Sequence, residues 1–407
     1  MSNAKINPFK IDVPDAALKS LQDRLSVSTL PDAVGFSEDR EYGAPLADVK
    51  RLVTRWKDGF DWRAQEKKLN ELPHFTTDVE VGGFGSLTIH FIHQKSPRKD
   101  SIPLLFCHGW PGSFIEVIKI LPLLTNPDSS PSFHVVAPSL PNFGFSDAVK
   151  KPGFGIPQYA ESMHKVMLAL GYDKYVTQGG DWGYIITRVM GLDYPDHCVA
   201  SHINFIPTQE PPKLTSAPVT YLQHALTSYT EEEKKGLARS TWFQSRGFGY
   251  NLEQGTKPST LGFSLADSPV GMLAWIYEKL RDWTDDYPWT DDEVLTWISI
   301  YQFSKAGANA SVRIYYESRN TEREKMAKAR AYIPRVLLGQ SYFPKDVVVT
   351  PLAWGRLLGP VVFQKAHTTG GHFAAYEKPK ELVEDIQSMF KRGGGAYSVT
   401  KSFQAKL

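Results

Sequence analysis

Residues 174–195 read KYVTQGGDWGYIITRVMGLDYP, Lys174 to Pro195, and this stretch decides the fold. A β-branched and aromatic run, Tyr175-Val176-Thr177, stops at Gly179 and Gly180. Asp181 follows, and an apolar pattern with helical spacing starts at once. Gly179-Gly180-Asp181-Trp182-Gly183 has the form of the sharp strand-to-helix turn that presents a nucleophile between two glycines, with Asp where Ser usually stands. The flanking glycines let strand and helix backbones pass close to each other. Asp181 then stands above a sheet at a helix N-terminus, where the helix dipole stabilises an anion. The competing reading of the same residue is a plain helix cap.

Outward from this turn the chain alternates. LTIHFIHQ (87–94), IPLLFCHG (102–109), SFHVVAPS (132–139), CVASHINFIP (198–207), PRVLLGQSYF (334–343) and PVVFQKAHTTGG (360–371) read as further strands. Helical stretches such as FIEVIKILPLL (114–124) and YAESMHKVMLAL (159–170) lie between several of them. Strands apolar on both faces and joined by helices imply a parallel sheet covered on both sides. Residues 1 to about 75 carry helical periodicity instead, as in DAALKSLQDRL and PLADVKRLVTRW. Residues 208–330 hold no convincing strand, only helical blocks; one is SPVGMLAWIYEKLRDW, with Ser268 as N-cap and Pro269 at the first helical position. An insertion of this kind between two strands is placed to cover their carboxyl ends, where open α/β sheets bind ligands. The expected division is a helical N-terminal region over 1–85, a first core part over 86–207, a helical lid over 208–330 and a second core part over 331–407.

At 407 residues the chain exceeds a usual single core, in keeping with a main domain plus an insertion. Its net charge of +2, with no run of like charge that stands out, gives no reason to expect nucleic acid as a partner. No apolar stretch is long enough for a membrane span and the start is polar, so a soluble, cytoplasmic protein without membrane contact is expected. The final tripeptide, Ala405-Lys406-Leu407, has the small-basic-Leu form of a peroxisomal address. The two cysteines, Cys107 and Cys198, fall in apolar runs and are expected to be free buried thiols. Oligomeric state is not legible; a homodimer is the form considered.

A nucleophile needs an oxyanion hole and a base. HGWPGS, from His108, follows a buried strand, in position to offer the backbone N–H of Trp110; Trp182, after the nucleophile, offers the second. His108 itself reads as structural. Late in the chain His372 follows Gly370-Gly371 in GGHFAAYEKP, with His367 at the strand end as its nearest competitor. Between Glu324 and Glu377 the single acidic residue is Asp346, just after the penultimate strand, suited to orienting the His ring. An Asp nucleophile also carries chemical meaning. It leaves an ester that water can cleave, whereas Ser attacking saturated carbon would leave an ether.

With these residues in hand the chain resembles the epoxide hydrolases of the α/β-hydrolase superfamily, in particular the microsomal-type branch and its soluble fungal members. The likeness covers nearly the whole chain. INPFKIDVPDAALKSLQDRLSVSTLPD and WKDGFDWRAQEKKLNELPHF are similar to that branch's N-terminal meander, and HGWPGS, GGDWG and GGHFAAYEKP to its core motifs. The resemblance implies an α/β-hydrolase fold and two lid tyrosines that grip the epoxide oxygen. Tyr250 in GFGYNLEQ is the first; RIYYE selects Tyr315 as the second, with Tyr316 in reserve. It further implies that Asp181 opens an aromatic or aliphatic epoxide to an alkyl-enzyme ester. His372 and Asp346 then activate water, giving a vicinal diol without metal or cofactor. The rival within the same fold is a haloalkane dehalogenase, which shares the Asp–His–acid logic but has no use for a tyrosine pair.

Overall fold

The computed structural model describes residues 5–126, 128–129, 131–208, 211–215 and 217–404. Nine strands form one sheet: β1 (Asn7–Pro8), β2 (His74–Val81), β3 (Gly85–Gln94), β4 (Ile102–Cys107), β5 (Phe133–Pro138), β6 (Tyr175–Gly179), β7 (Cys198–Ile203), β8 (Leu337–Tyr342) and β9 (Val361–Ala366). Their spatial order is β1-β2-β3-β5-β4-β6-β7-β8-β9. From β5 to β9 all pairs are parallel; β1, β2 and β3 add an antiparallel edge. The central strands bury both faces, β4 and β6 along their whole length. This is the mostly parallel, helix-flanked sheet of the α/β-hydrolase fold.

Two local expectations are corrected. Residues 1–85 supply helices at Asp15–Ser26, Leu46–Asp58 and Trp62–Leu69, but also β1 and β2, which the helical reading of the first 75 residues passed over. The reason lies in the position of β2 next to the edge, covered on its outer side by the two-residue β1 alone: Thr76, Thr77, Asp78 and Glu80 break up its apolar residues, so it never shows the two-sided run of a central strand. Second, the helix expected over 114–124 divides into a 3₁₀ turn at Phe114–Val117 and a short helix at Leu121–Thr125. Pro122 lacks an N–H and clashes with a preceding turn, so it begins a new helix instead of continuing one.

Between β7 and β8 the described chain is helical only, from Pro218 to Arg330. β7 and β8 are parallel neighbours, Ala200 opposite Leu337, so the insertion leaves and re-enters the sheet side by side. Helix Pro269–Asp282 starts as expected, with Ser268 Oγ accepting the Gly271 N–H at 2.9 Å. Helix Asp291–Gln302 buries Val294, Leu295, Trp297, Ile298 and Ile300, and at its start Thr290 and Glu293 cap each other's backbone amides. It is tied to the loop after β4: Trp297 Nε1 donates to the Pro111 carbonyl at 2.5 Å and Tyr301 Oη to that of Gly112 at 2.6 Å. The N-terminal helices lie against the insertion from outside, Arg51 and Arg55 pairing with Asp291 and Asp292.

Cys107 and Cys198 are buried free thiols. Among the described residues no helix is long and apolar enough to cross a membrane. The C-terminal tripeptide lies outside the described residues.

Candidate active site

Asp181 opens helix Asp181–Asp193 directly after β6, with φ of +46°, in the left-handed region that L-residues seldom occupy. The turn is tight enough that a Cβ on Gly183 would meet the Cys107 carbonyl oxygen at 1.9 Å, so only glycine fits there. The conformation lifts the carboxylate off the helix and onto the loop after β4. Oδ1 accepts the Trp110 N–H at 2.8 Å, and Oδ2 lies 3.3 Å from His372 Nε2. A helix cap would keep its oxygens on its own first turn; this one turns them outward.

His372 Nδ1 meets Asp346 Oδ1 at 2.6 Å, and the side chains of both are almost fully buried. The imidazole sits between the rings of Phe205 and Trp283, edge-to-face at 5.6 and 5.1 Å. Burial pulls its pKa down, but the charge of Asp346 and the contacts to Asp181 and Asp346 outweigh it and push the ring up to about 10. The three residues picked out along the sequence thus meet in one line, Asp346–His372–Asp181. His367 is occupied elsewhere, with Nε2 on Asp385 Oδ2 at 2.6 Å and its ring stacked on Phe343.

His108 is structural, as expected. Its Nε2 accepts the Leu140 N–H at 3.1 Å, leaving Nδ1 to donate to the Gly109 carbonyl at 2.9 Å. Burial holds it down at about 4, so it stays neutral and joins the loop after β4 to the one after β5. Of the two amides expected to face the nucleophile, only that of Trp110 donates to the carboxylate among the described residues. The Trp182 N–H, in the first helical turn, has no intrahelical acceptor.

Toward the helical insertion Asp181 faces a cavity of about 690 Å³, walled in part by Trp182, Phe205, Phe243, Phe248, Tyr250 and Tyr315. It reaches solvent beside Arg319 and Arg330. Tyr250 stacks on Trp110 with ring centroids 5.3 Å apart, and Tyr315 stands edge-on to Trp182 at 4.8 Å and to Tyr250 at 5.8 Å. Burial, then the negative charge of Asp181, raises the Tyr250 phenol; burial, Tyr250 and Asp181 raise Tyr315, so both are held protonated. The Tyr250 hydroxyl and the Trp182 indole are close enough to act on the acidity of Tyr315. Even so, the Tyr315 hydroxyl oxygen has no partner of normal hydrogen-bond geometry among the described residues. Tyr316, the reserve candidate, is 41 % exposed against 2 % for Tyr315. Neighbours on a helix point about 100° apart, and here the choice falls on Tyr315.

Sequence reasoning missed two parts of the site. One is Glu116, a half-buried residue whose Oε1 is itself buried, beside Asp181 and His372 in the wall of a small cavity; its signal was a lone acidic residue inside the apolar run FIEVIKIL. The other is a set of bonds from the helical insertion to the His372 loop. The Trp283 carbonyl accepts the His372 N–H at 2.7 Å, Asp285 Oδ2 accepts the Gly370 N–H at 2.8 Å, and Glu377 Oε2 accepts the Asp285 N–H at 3.0 Å. No local pattern announces contacts that span some 90 residues.

Known proteins share this architecture. Residues 6–117 match the family described as "Epoxide hydrolase N terminus", and residues 102–237 that described as "alpha/beta hydrolase fold". "Epoxide hydrolase 1" of Sus scrofa is 34% identical over 407 residues, covering 94% of this chain and 88% of its own. The solved Aspergillus niger epoxide hydrolase is 34% identical with a TM-score of 0.81, over 95% of this chain and 96% of that one. The juvenile hormone epoxide hydrolase of Bombyx mori superposes with a TM-score of 0.84 at 27% identity, over 98% and 96% of the two chains. Likeness of this extent, in sequence and in backbone alike, makes the chain a member of the epoxide hydrolase family with the α/β-hydrolase fold.

Proposed function

We propose that this epoxide hydrolase works through a covalent ester on Asp181. The observation that carries the reading is the setting of one carboxylate: Oδ1 on the Trp110 N–H, Oδ2 beside His372 Nε2, and two buried phenols in the wall of the cavity it faces. An epoxide is strained and electrophilic, but its ring oxygen leaves as an alkoxide and needs an acid close by. Tyr250 and Tyr315, held protonated, hydrogen-bond that oxygen, and one of them gives it a proton as Asp181 attacks the ring carbon. The C–O bond breaks and an alkyl-enzyme ester remains.

His372, oriented by Asp346, then takes a proton from water, whose oxygen bonds to the Asp181 carboxyl carbon. The Trp110 N–H, joined by that of Trp182 once the tetrahedral centre forms, stabilises the oxyanion; removing one such donor costs about 3 kcal/mol in comparable sites. Collapse breaks the bond from the carboxyl carbon to the alkyl oxygen, and the His372 proton passes to the departing alkoxide. The second proton of water, released as Asp181 returns to its carboxylate, restores the tyrosine. On this reading residues 208–330 act as the lid, 86–207 and 331–407 as the two core parts, and 1–85 as a strap around them. The aromatic walls suit aromatic or aliphatic epoxides.

Single-turnover reaction of His372→Ala with styrene oxide, followed by intact-mass measurement, tests the scheme. An adduct on the peptide holding Asp181 is expected; absence of any adduct overturns the two-step mechanism. Chloride or bromide release from haloalkanes without diol formation from epoxides would favour the dehalogenase reading instead.

A further inference from the structure

Asp181 has a second cavity at its back. It offers about 20 Å³ to the centre of a water molecule, room for one. Glu116, Gln178, Asn204 and His372 line it together with Asp181. Two of the buried oxygens on these walls, Glu116 Oε1 and Gln178 Oε1, have no hydrogen-bond partner among the described residues. Buried acceptors are almost always satisfied, so two in one water-sized cavity mark a place where water is held.

The groups are fixed. A Cβ on Gly112 would stand 1.7 Å from Glu116 Oε1, so glycine at this position is what lets the carboxyl lie against the loop after β4. Gln178 Nε2 donates to Asn204 Oδ1 at 2.6 Å, which leaves its own oxygen as the free end.

We propose that Glu116, assisted by Gln178, holds the water that hydrolyses the ester on Asp181. The inference rests on the covalent reading above. The water donates one hydrogen to His372 Nε2 and the other to Glu116 Oε1, which leaves a lone pair for the Asp181 carboxyl carbon. His372 takes the first proton as the new C–O bond forms and returns it to the departing alkoxide; the second is released with the carboxylate and restores the tyrosine. Burial raises Glu116 to about 8, with the Asp181 charge adding to the rise and His372 opposing it. Esterification of Asp181 removes one of these influences and shifts Glu116 toward the carboxylate, the better acceptor, at the stage when water must be bound.

Rapid-quench mass measurement of Glu116→Ala and Glu116→Gln with styrene oxide, beside His372→Ala, separates the half-reactions. For Glu116→Ala we expect accumulated adduct, with hydrolysis slowed about a hundredfold and alkylation by less than about threefold. Glu116→Gln keeps shape and an acceptor oxygen; it should slow hydrolysis less and remove a step from the pH profile of hydrolysis that lies below 8, since the ester lacks the Asp181 charge. This variant decides the matter if Glu116→Ala does not fold. Hydrolysis at the wild-type rate, or equal slowing of both half-reactions, overturns the proposal. If His372→Ala accumulates adduct and the Glu116 variants do not, the role of Glu116 falls while the covalent reading stands. If His372→Ala gives none, both fall.

Discussion

The two sides of the Asp181 carboxylate differ in size and in chemistry. Toward the lid lies a cavity of about 690 Å³, walled by aromatic rings and holding two phenols. Toward the core lies one of about 20 Å³, edged by His372, a carboxyl and amides. The large side can take an apolar electrophile and give its leaving oxygen a proton; the small one can take a single water and remove a proton from it. On the proposed mechanism one residue serves two half-reactions that need opposite proton chemistry, and the fold keeps them apart by putting a wall of protein on each side of the same side chain. The charge pattern follows suit. His372 is held up by Asp346 and Asp181, and on the proposed mechanism it loses part of that support when Asp181 becomes a neutral ester, so alkylation favours the unprotonated ring that can take a proton from water.

The comparison breaks most completely at its pivot. Asp181→Asn removes both half-reactions and should reduce diol formation by at least about 10⁴-fold, with no adduct by mass. Next, Tyr250→Phe combined with Tyr315→Phe should slow adduct formation by about 10³-fold and leave hydrolysis of any ester formed near its normal rate. Tyr316→Phe should stay within about twofold of wild type in the same assay, since an exposed side chain contributes little. Asp346→Asn acts on the other side. It should slow ester hydrolysis about a hundredfold and spare alkylation, and slowed alkylation would dissolve the distinction between the two sides.

The smallest effect is on stability. Folded His372 binds its proton more tightly than the unfolded ring, whose pKa is about 6.5. That contribution is whole below about 6.5 and is lost as pH rises toward 10. The difference in Tm between wild type and His372→Gln should therefore change across this window, in the direction of a less stable wild type at the alkaline end. A constant difference removes the charge argument.

Much of this was legible along the chain because glycines mark it. Asp181 and His372 sit beside glycine pairs that a turn or close approach requires, and Asp346 was alone in its segment. The parallel strands announced themselves by being apolar on both faces. What escaped was two-dimensional. β2, in the antiparallel part of the sheet, is masked by its polar residues, and Glu116 looks like one charged residue on an apolar helix until the loop folds its carboxyl under Gly112. The Trp182 amide, expected from the sequence as the second oxyanion donor, makes no bond to the carboxylate among the described residues; a ground-state carboxylate is planar, and its oxygens do not stand where a tetrahedral oxyanion would.

The bonds from Trp283 and Asp285 to the His372 loop have a mechanical meaning. A cover that grips the base cannot swing away at that corner without carrying the imidazole off Asp346. If the insertion acts as the proposed lid, entry of substrate would use motion elsewhere, near exposed Arg319 and Arg330 in the cavity wall, with the stretch 283–285 as a fixed jamb.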